Sequence, residues 1–176
     1  MTKVRSRKRR HMGTLSRALG DIGYERDMLL FTVMLEVRNP TLSGCSANIV
    51  LESLLVHARN LREFLYGPLP PRSGPPKAPG DDDVISEDFF RKPARWAKAR
   101  PQQTDRLLRM GKLANKHLAH ITYDRVFRRP LDQNPVWQVG LIAYDLLIAL
   151  EVFRANADRR VDWSLYDRAA CSPPET

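Results

Sequence analysis

The segment at residues 134–156, NPVWQVGLIAYDLLIALEVFRAN, decides the fold. Asn134 followed by Pro135 is typical of a helix start, since Asn caps a helix and proline suits its first turn. Apolar residues then recur every three or four positions, which predicts an α-helix with a wide buried face. We expect that face to consist of Val139, Ile142, Ala143, Leu146, Leu147, Leu150 and Phe153. Because this is the most apolar segment of the chain, it predicts the central helix of a helical core.

Three further segments, at residues 21–38, 46–66 and 104–128, show the same periodicity. The first ends at Asn39-Pro40 and the second at Gly67-Pro68, because neither dipeptide continues a helix. Thr104 is the expected N-cap of the third. The expected buried face of the first helix is Tyr24, Met28, Leu29, Val33 and Val37. That of the second is Val50, Leu54, Ala58, Leu61 and Leu65.

The pattern as a whole predicts an all-α fold, because no segment alternates with the period of two that strands require. We expect a single-domain bundle of four main helices over residues 19–160, preceded by a basic flexible leader at 1–18 and followed by an irregular tail at 161–176. A connection rich in proline and glycine, at residues 67–80, separates helices two and three. After it, Ser86 and the segment 93–99 indicate short helices that place Phe89, Phe90 and Trp96 on the bundle, while Trp163 and Tyr166 are expected to anchor the tail.

The net charge of +9 resembles that of a nucleic-acid-binding protein, but it is unevenly distributed. Six of the 29 Lys and Arg lie within the first ten residues, so the remaining 23 face 20 Asp and Glu. A basic tail of this kind can bind phosphates without sequence preference, or it can simply be solvated. The high charge is therefore mainly a property of the leader rather than of the folded body.

The composition excludes several classes of protein. No apolar run approaches the ~20 residues that a membrane span needs, and no apolar stretch follows the basic N-terminus as in a secretory signal. Two cysteines, Cys45 and Cys171, are too few for a disulfide framework or a cysteine-based zinc site. We therefore expect a cytoplasmic protein with no cofactor and no membrane association.

The histidines are the most informative polar residues. Apart from His11, all of them lie on the second and third predicted helices, as His57, His117 and His120. His57 and Asn60 fall on the flank of the second helix, where both are expected to be half-buried and to need partners. If the two helices pack antiparallel, His57 could face His117 and His120 across a groove.

Three kinds of chemistry fit these residues, and the sequence leaves all three open. An imidazole can move a proton in RNA cleavage. His117 and His120, with Asp124 or His57, could instead bind a metal ion. Alternatively, the histidines form a buried polar network that sets the register of the helices. Arginines near the histidines could line a phosphate groove, but they are more simply interpreted as partners of Glu52, Glu63 and Asp105.

The segment NKHLAHITY at residues 115–123 resembles the signature of HEPN domains (higher eukaryotes and prokaryotes nucleotide-binding). These are all-helical domains, many of them metal-independent ribonucleases of bacterial toxin and defence systems. Their motif is an arginine and, after four to six residues, a histidine. Asn115 stands here at the arginine position, with Lys116 beside it, and His120 stands at the histidine position.

The resemblance implies a role for each of these residues. His120 would be the acid–base group, and Asn115 and Lys116 would position phosphate. His57, Asn60 and His117 would support the site, with Tyr123 nearby. Because HEPN domains commonly dimerise around a shared cleft, the resemblance also implies a homodimer. It would act on RNA, bind nucleotides or retain the scaffold without catalysis, with a partner protein in some systems.

Overall fold

The computed structural model describes residues 10–69, 71, 78–117 and 138–168. In chain order the helices are α1 (Met12–Arg38), α2 (Gly44–Tyr66), a short 3-10 helix (Ser86–Phe89), α3 (Pro93–Ala99), α4 (Asp105–His117), α5 (Val139–Asn156) and α6 (Ser164–Asp167). Within these ranges there is no strand, so the all-α prediction is confirmed for the described chain. The described residues contain six α-helices, some of them short, so the finer prediction of a bundle of four main helices is not confirmed. The described parts also contain no helix long and apolar enough to cross a membrane.

Helix α5 lies at the centre of the core, as its sequence predicts. Phe153 near its end is fully buried, and its ring contacts Phe64 of α2 at 5.0 Å between centroids and Phe89 at 5.3 Å. Trp96 of α3 stands edge-on to the same ring at 5.7 Å. These edge-to-face contacts are favourable because the positive edge of one ring meets the negative face of another. The aromatic residues of the long connection therefore complete the core around α5.

The prediction of short helices after the proline-rich connection is confirmed. The 3-10 helix buries Phe89, and α3 buries Trp96 completely. Both attach to the end of α2, because Ser86 Oγ donates to Leu65 O at 3.3 Å and Trp96 Nε1 donates to the same oxygen at 3.2 Å. A carbonyl in the last turn of a helix has no partner within the helix, so these side chains satisfy it. The connection is thus attached to the bundle through the carbonyl oxygen of Leu65.

Helix α1 corrects two predictions. It begins at Met12, so residues 12–18 are helical and do not belong to a flexible leader. Its buried face is also different from the expected one: Tyr24 is 48% and Val37 is 71% exposed, and of the five expected residues only Leu29 is buried. The true face is Leu15, Ala18, Leu19, Ile22, Leu29 and Thr32. The prediction failed because the second half of α1 is apolar on several sides, and its phase is set by the first half.

The segment after residue 160 corrects a third prediction, because α6 gives the expected irregular tail a helical turn. Tyr166 is fully buried, Arg26 of α1 lies over its ring at 4.2 Å, and Arg26 Nη2 donates to Tyr166 O at 3.0 Å. Gly23 of α1 allows this close approach, since a Cβ there would lie 2.8 Å from Tyr166 O. The expected anchoring by Trp163 and Tyr166 is confirmed, because Trp163 contacts the Phe153 ring at 5.7 Å.

The two longest helices form an antiparallel pair, because only residues 39–43 connect them. This pair shares the largest interface between described elements. The start of α4 is capped by Thr104, whose Oγ1 accepts from Leu107 N at 3.3 Å, as predicted. The expected remainder of this third helix, residues 118–128, and the expected helix start at Asn134-Pro135 lie outside the described residues.

Candidate functional site

His57 lies on the flank of α2 that faces α1, and it is 8% exposed. Its Nδ1 lies 2.7 Å from Oε2 of Glu25, which belongs to α1. The ring of Tyr24 stands edge-on to the imidazole, with 5.8 Å between the centroids. The sequence-based expectation that His57 needs a polar partner is met, and the described contacts of its ring are made with α1.

Asn60 binds the other oxygen of the same carboxylate. Its Nδ2 donates to Glu25 Oε1 at 3.0 Å. Asn60 itself is exposed rather than half-buried, because it lies one turn further along the outer side of α2. Glu25 thus bridges two side chains that the sequence analysis placed on one flank.

Glu25 is the functional candidate that the sequence analysis missed. It lies three residues after Ile22 and four before Leu29, so it occupies the buried side of α1. A carboxylate in the apolar stripe of a helix needs a hydrogen-bond donor from another element. This signal becomes readable only with the correct phase of α1, which the sequence analysis did not have.

The contact with Glu25 indicates which nitrogen of the imidazole donates a hydrogen bond. An ionised carboxylate only accepts hydrogen bonds, so His57 must donate from Nδ1. In neutral His57 the lone pair then lies on Nε2. Within the described chain Nε2 makes no hydrogen bond, and it is not among the fully buried atoms that lack a partner. An oriented imidazole whose second nitrogen makes no hydrogen bond within the described chain is the arrangement that acid–base catalysis uses.

The other predicted site residues are covered only in part. Asn115, Lys116 and His117 are placed in the last turn of α4 as backbone, and their side chains lie outside what is described. His120 and Tyr123 lie outside the described residues altogether. The proposed approach of His57 to His117 and His120 therefore stays a prediction, although α2 and α4 do pack together.

The arginines near the candidate site have partners, in line with the simpler interpretation. Arg59 Nε lies 3.2 Å from Glu63 Oε1, and Arg106 forms a paired contact with Asp145 at 3.0 Å. The partner of Arg106 is thus a residue of α5 and not Asp105. These arginines serve the fold in the described structure.

Arg62 is buried to 1% exposure, and its Nη1 donates to Gly67 O at 2.8 Å. Burial lowers the pKa of Arg62, while the nearby Glu63 acts in the opposite direction. Its guanidinium holds the chain where α2 ends, a place where the partial negative charge of the helix end favours a cation. Like Arg59 and Arg106, it does not line an open phosphate site.

No group of three or more His, Cys, Asp or Glu side chains suited to a metal ion occurs in the described part of the chain. The candidate site therefore consists, as far as it is described, of Glu25, His57 and Asn60, with Tyr24 against the imidazole. Comparison with protein-family models, with curated proteins and with solved structures gave no match.

Proposed function

We propose that the chain is a HEPN-like protein, built as a bundle of four main helices, that acts on RNA or binds a nucleotide through a histidine-centred site. The observation that carries the proposal is the contact of 2.7 Å between Glu25 and His57, which leaves Nε2 without a hydrogen bond to a described residue. The helical fold and the motif-like segment at residues 115–123 support it.

The proposed reaction is cleavage of RNA without a metal ion. A base takes the proton from a ribose 2′-hydroxyl, whose oxygen attacks the adjacent phosphorus, and an acid protonates the departing 5′-oxygen. His120 is the proposed acid–base group, and Asn115 and Lys116 position the phosphate. His57, oriented by Glu25, supplies a second imidazole of defined tautomer, with His117 and Tyr123 as supporting groups.

A second function is favoured by one specific observation. The hydrogen bonds described for Glu25 of α1 are all donated by side chains of α2, so they connect the two longest helices. Such a polar network sets helix register without any catalysis, since a slip of either helix would leave a buried polar group unpaired. In this alternative the protein is a structural or interaction module that has the helical scaffold but no catalytic activity.

The deciding experiment is cleavage of a mixed RNA pool in the presence of EDTA. We compare the wild-type protein with His120→Ala and His57→Gln, and use His11→Ala as a matched control, because the described side-chain hydrogen bond of His11 is the one it accepts from Gly13 N at the start of α1. The catalytic proposal requires cleavage that survives EDTA, is lost in His120→Ala, falls in His57→Gln and is unchanged in His11→Ala. Absence of cleavage by the wild-type protein, with a lower free energy of unfolding for His57→Gln, would favour the structural module.

The family resemblance also leads to a proposal about the oligomeric state, the cellular location and the partners of the protein. We propose a homodimer in a bacterial cytoplasm, in a toxin–antitoxin or defence setting, with a partner protein as a further component. Light scattering of the purified protein tests the dimer directly. A monomer at all accessible concentrations would contradict this part of the proposal and leave the catalytic test unaffected.

A further inference from the structure

Two segments that are distant in the chain meet just after the end of α5. Asp158 N donates to Phe89 O at 2.9 Å, which places residues 158–160 beside the residues that follow the 3-10 helix. Oδ2 of Asp158 accepts from Arg91 Nε at 3.2 Å and from Arg160 Nη2 at 2.7 Å. Because one oxygen binds both guanidinium groups, Arg91 and Arg160 lie side by side.

The two arginines cover the carboxylate that holds them. The side chain of Asp158 is 6% exposed, whereas those of Arg91 and Arg160 are 67% and 51% exposed. No described residue accepts a hydrogen bond from the Nη nitrogens of Arg91 or from Nη1 of Arg160. These N–H groups can form the paired hydrogen bonds that a guanidinium makes with a phosphate. The surface at this point therefore presents positive charge and hydrogen-bond donors to the solvent.

Further cations flank this pair of arginines. Residues 91–98 include four basic residues and no acidic one, and Arg159 directly precedes Arg160. The basic patch is the set of exposed cations in the two segments: Arg91, Lys92, Arg95, Lys98, Arg159 and Arg160. The four that do not contact Asp158 form no ion pair in the described part of the chain. One carboxylate within the two segments thus stands against six cations.

The acids that precede the patch in the chain bind other groups. Glu87 Oε1 lies 3.7 Å from Arg100 Nη1, and Asp88 Oδ2 accepts from Ile85 N at 3.4 Å. The positive charge of the patch is therefore not balanced by these two carboxylates. Clustered charge of one sign raises the local concentration of ligands of the opposite sign.

The remaining side chains of the patch narrow the class of its partner. Trp96 is completely buried, and no large apolar side chain is exposed in residues 91–98 or 158–160. A membrane-surface helix combines basic residues with exposed apolar ones, and an RNA base needs an aromatic platform or a groove. A phosphate backbone needs only cations and hydrogen-bond donors, which the patch supplies.

We propose that the basic patch binds the phosphate backbone of an RNA strand without regard to its sequence. The inference rests on the proposed function, because RNA is the polyanion on which the histidine-centred site would act. The patch shares no residue with Glu25, His57 and Asn60, so it positions the strand and takes no part in proton transfer. Each cation that contacts a phosphate of a single strand contributes about 0.7 to the slope of log affinity against log salt concentration.

The test measures binding separately from cleavage. A fluorescein-labelled single-stranded oligonucleotide with 2′-O-methyl groups has no attacking 2′-hydroxyl, so it stays intact, and fluorescence anisotropy gives its Kd for the full chain at several salt concentrations. Arg91→Gln and Arg95→Gln should each weaken binding about fourfold near 0.15 M salt, lower the slope by about 0.7, and together weaken binding about tenfold. Both single variants should fold, because Asp158 keeps Arg160 in the first and Arg95 forms no described ion pair.

The matched control is Arg38→Gln. Arg38 is an exposed cation at the last position of α1, next to the connection with α2, whereas the patch follows the 3-10 helix attached to the opposite end of α2. This variant changes the net charge equally and should leave Kd and slope unchanged. The basic residues at the N-terminus are identical in all variants, so their contribution cancels.

The outcomes separate the patch from the catalytic proposal. Unchanged binding in Arg91→Gln and Arg95→Gln, or an equal loss in Arg38→Gln, overturns the patch even if the protein cleaves RNA. Loss of binding to phosphatidylserine vesicles, with oligonucleotide binding intact, also overturns it, because the partner is then a lipid surface. Weaker oligonucleotide binding confined to the patch variants, in a protein that cleaves no RNA, upholds the patch and refutes only the catalytic proposal.

Discussion

Two glycines of α1 should respond to the same substitution with opposite signs. A Cβ added at Gly23 would lie 2.8 Å from Tyr166 O and 3.1 Å from Tyr166 Cα, which are backbone atoms that cannot rotate away. A Cβ at Gly20 would lie 3.5 Å from Leu165 Cβ, an ordinary van der Waals contact. Gly→Ala in a helix gains about 0.5–1 kcal/mol when nothing obstructs it. Gly20→Ala should therefore raise the free energy of unfolding by about that amount.

Gly23→Ala gains the same helix propensity, but the clash with the backbone of Tyr166 costs more stability than this gain provides. Forcing an extra methyl group into a packed contact costs typically 1–3 kcal/mol. The free energy of unfolding of Gly23→Ala should consequently lie about 1–3 kcal/mol below that of Gly20→Ala. The gain in helix propensity is the same in both variants, so it does not contribute to this difference. In a protein of this size 1 kcal/mol corresponds to roughly 2–4 °C in Tm.

Urea denaturation followed by far-UV circular dichroism measures the difference, with the m-value as a check that both variants unfold alike. A separation below about 0.5 kcal/mol would refute the reasoning, because it would mean that α6 does not press on α1 at Gly23.

Three further predictions concern single side chains. Tyr166→Phe should leave the free energy of unfolding unchanged or raise it by up to about 1 kcal/mol, because the buried hydroxyl has no hydrogen-bond partner in the described chain; a clear loss in urea denaturation would contradict this. Hydrogen bonds from Arg160 hold the pKa of Asp158 well below its usual range, so the stabilisation is present above about pH 4 and lost as the pH falls through the folded-state pKa. Asp158→Asn should therefore flatten the fall of Tm with decreasing pH below about pH 4, and an unchanged slope in thermal scans would disprove it. Arg62→Lys should cost about 2 kcal/mol by removing buried charged hydrogen bonds, whereas the half-exposed Arg59→Lys should stay within about 0.5 kcal/mol, and equal effects of the two would contradict the burial argument.

The second helix and the two short helices after it show where sequence reasoning succeeds. The predicted bounds of α2, residues 46–66, differ from Gly44–Tyr66 only at the start, and its expected apolar face is buried except for the half-buried Val50. Apolar periodicity and a terminating Gly-Pro are local signals, and the helix they specify survives in the fold. The same local reasoning identified the short helices at Ser86–Phe89 and Pro93–Ala99.

The first helix shows where such reasoning fails. Sequence reasoning assigns residues 12–18 to the basic leader because Arg17 and the small or polar residues Gly13, Thr14 and Ser16 weaken the apolar pattern. Leu15 and Leu19 are nevertheless buried, and they set the phase of the whole helix. Contacts with α6, more than 100 residues away along the chain, cover this end of α1, and no window of neighbouring residues contains that information.

The candidate site divides in the same way. That His57 stands on the flank of an amphipathic helix, next to Asn60 and in need of a partner, follows from residues within one turn of each other. That the partner is Glu25, and that one carboxylate binds both side chains, depends on the antiparallel packing of α1 against α2. Periodicity is a property of a single helix and is therefore legible in the chain, whereas the rotation of one helix against another results from the packing of the whole core.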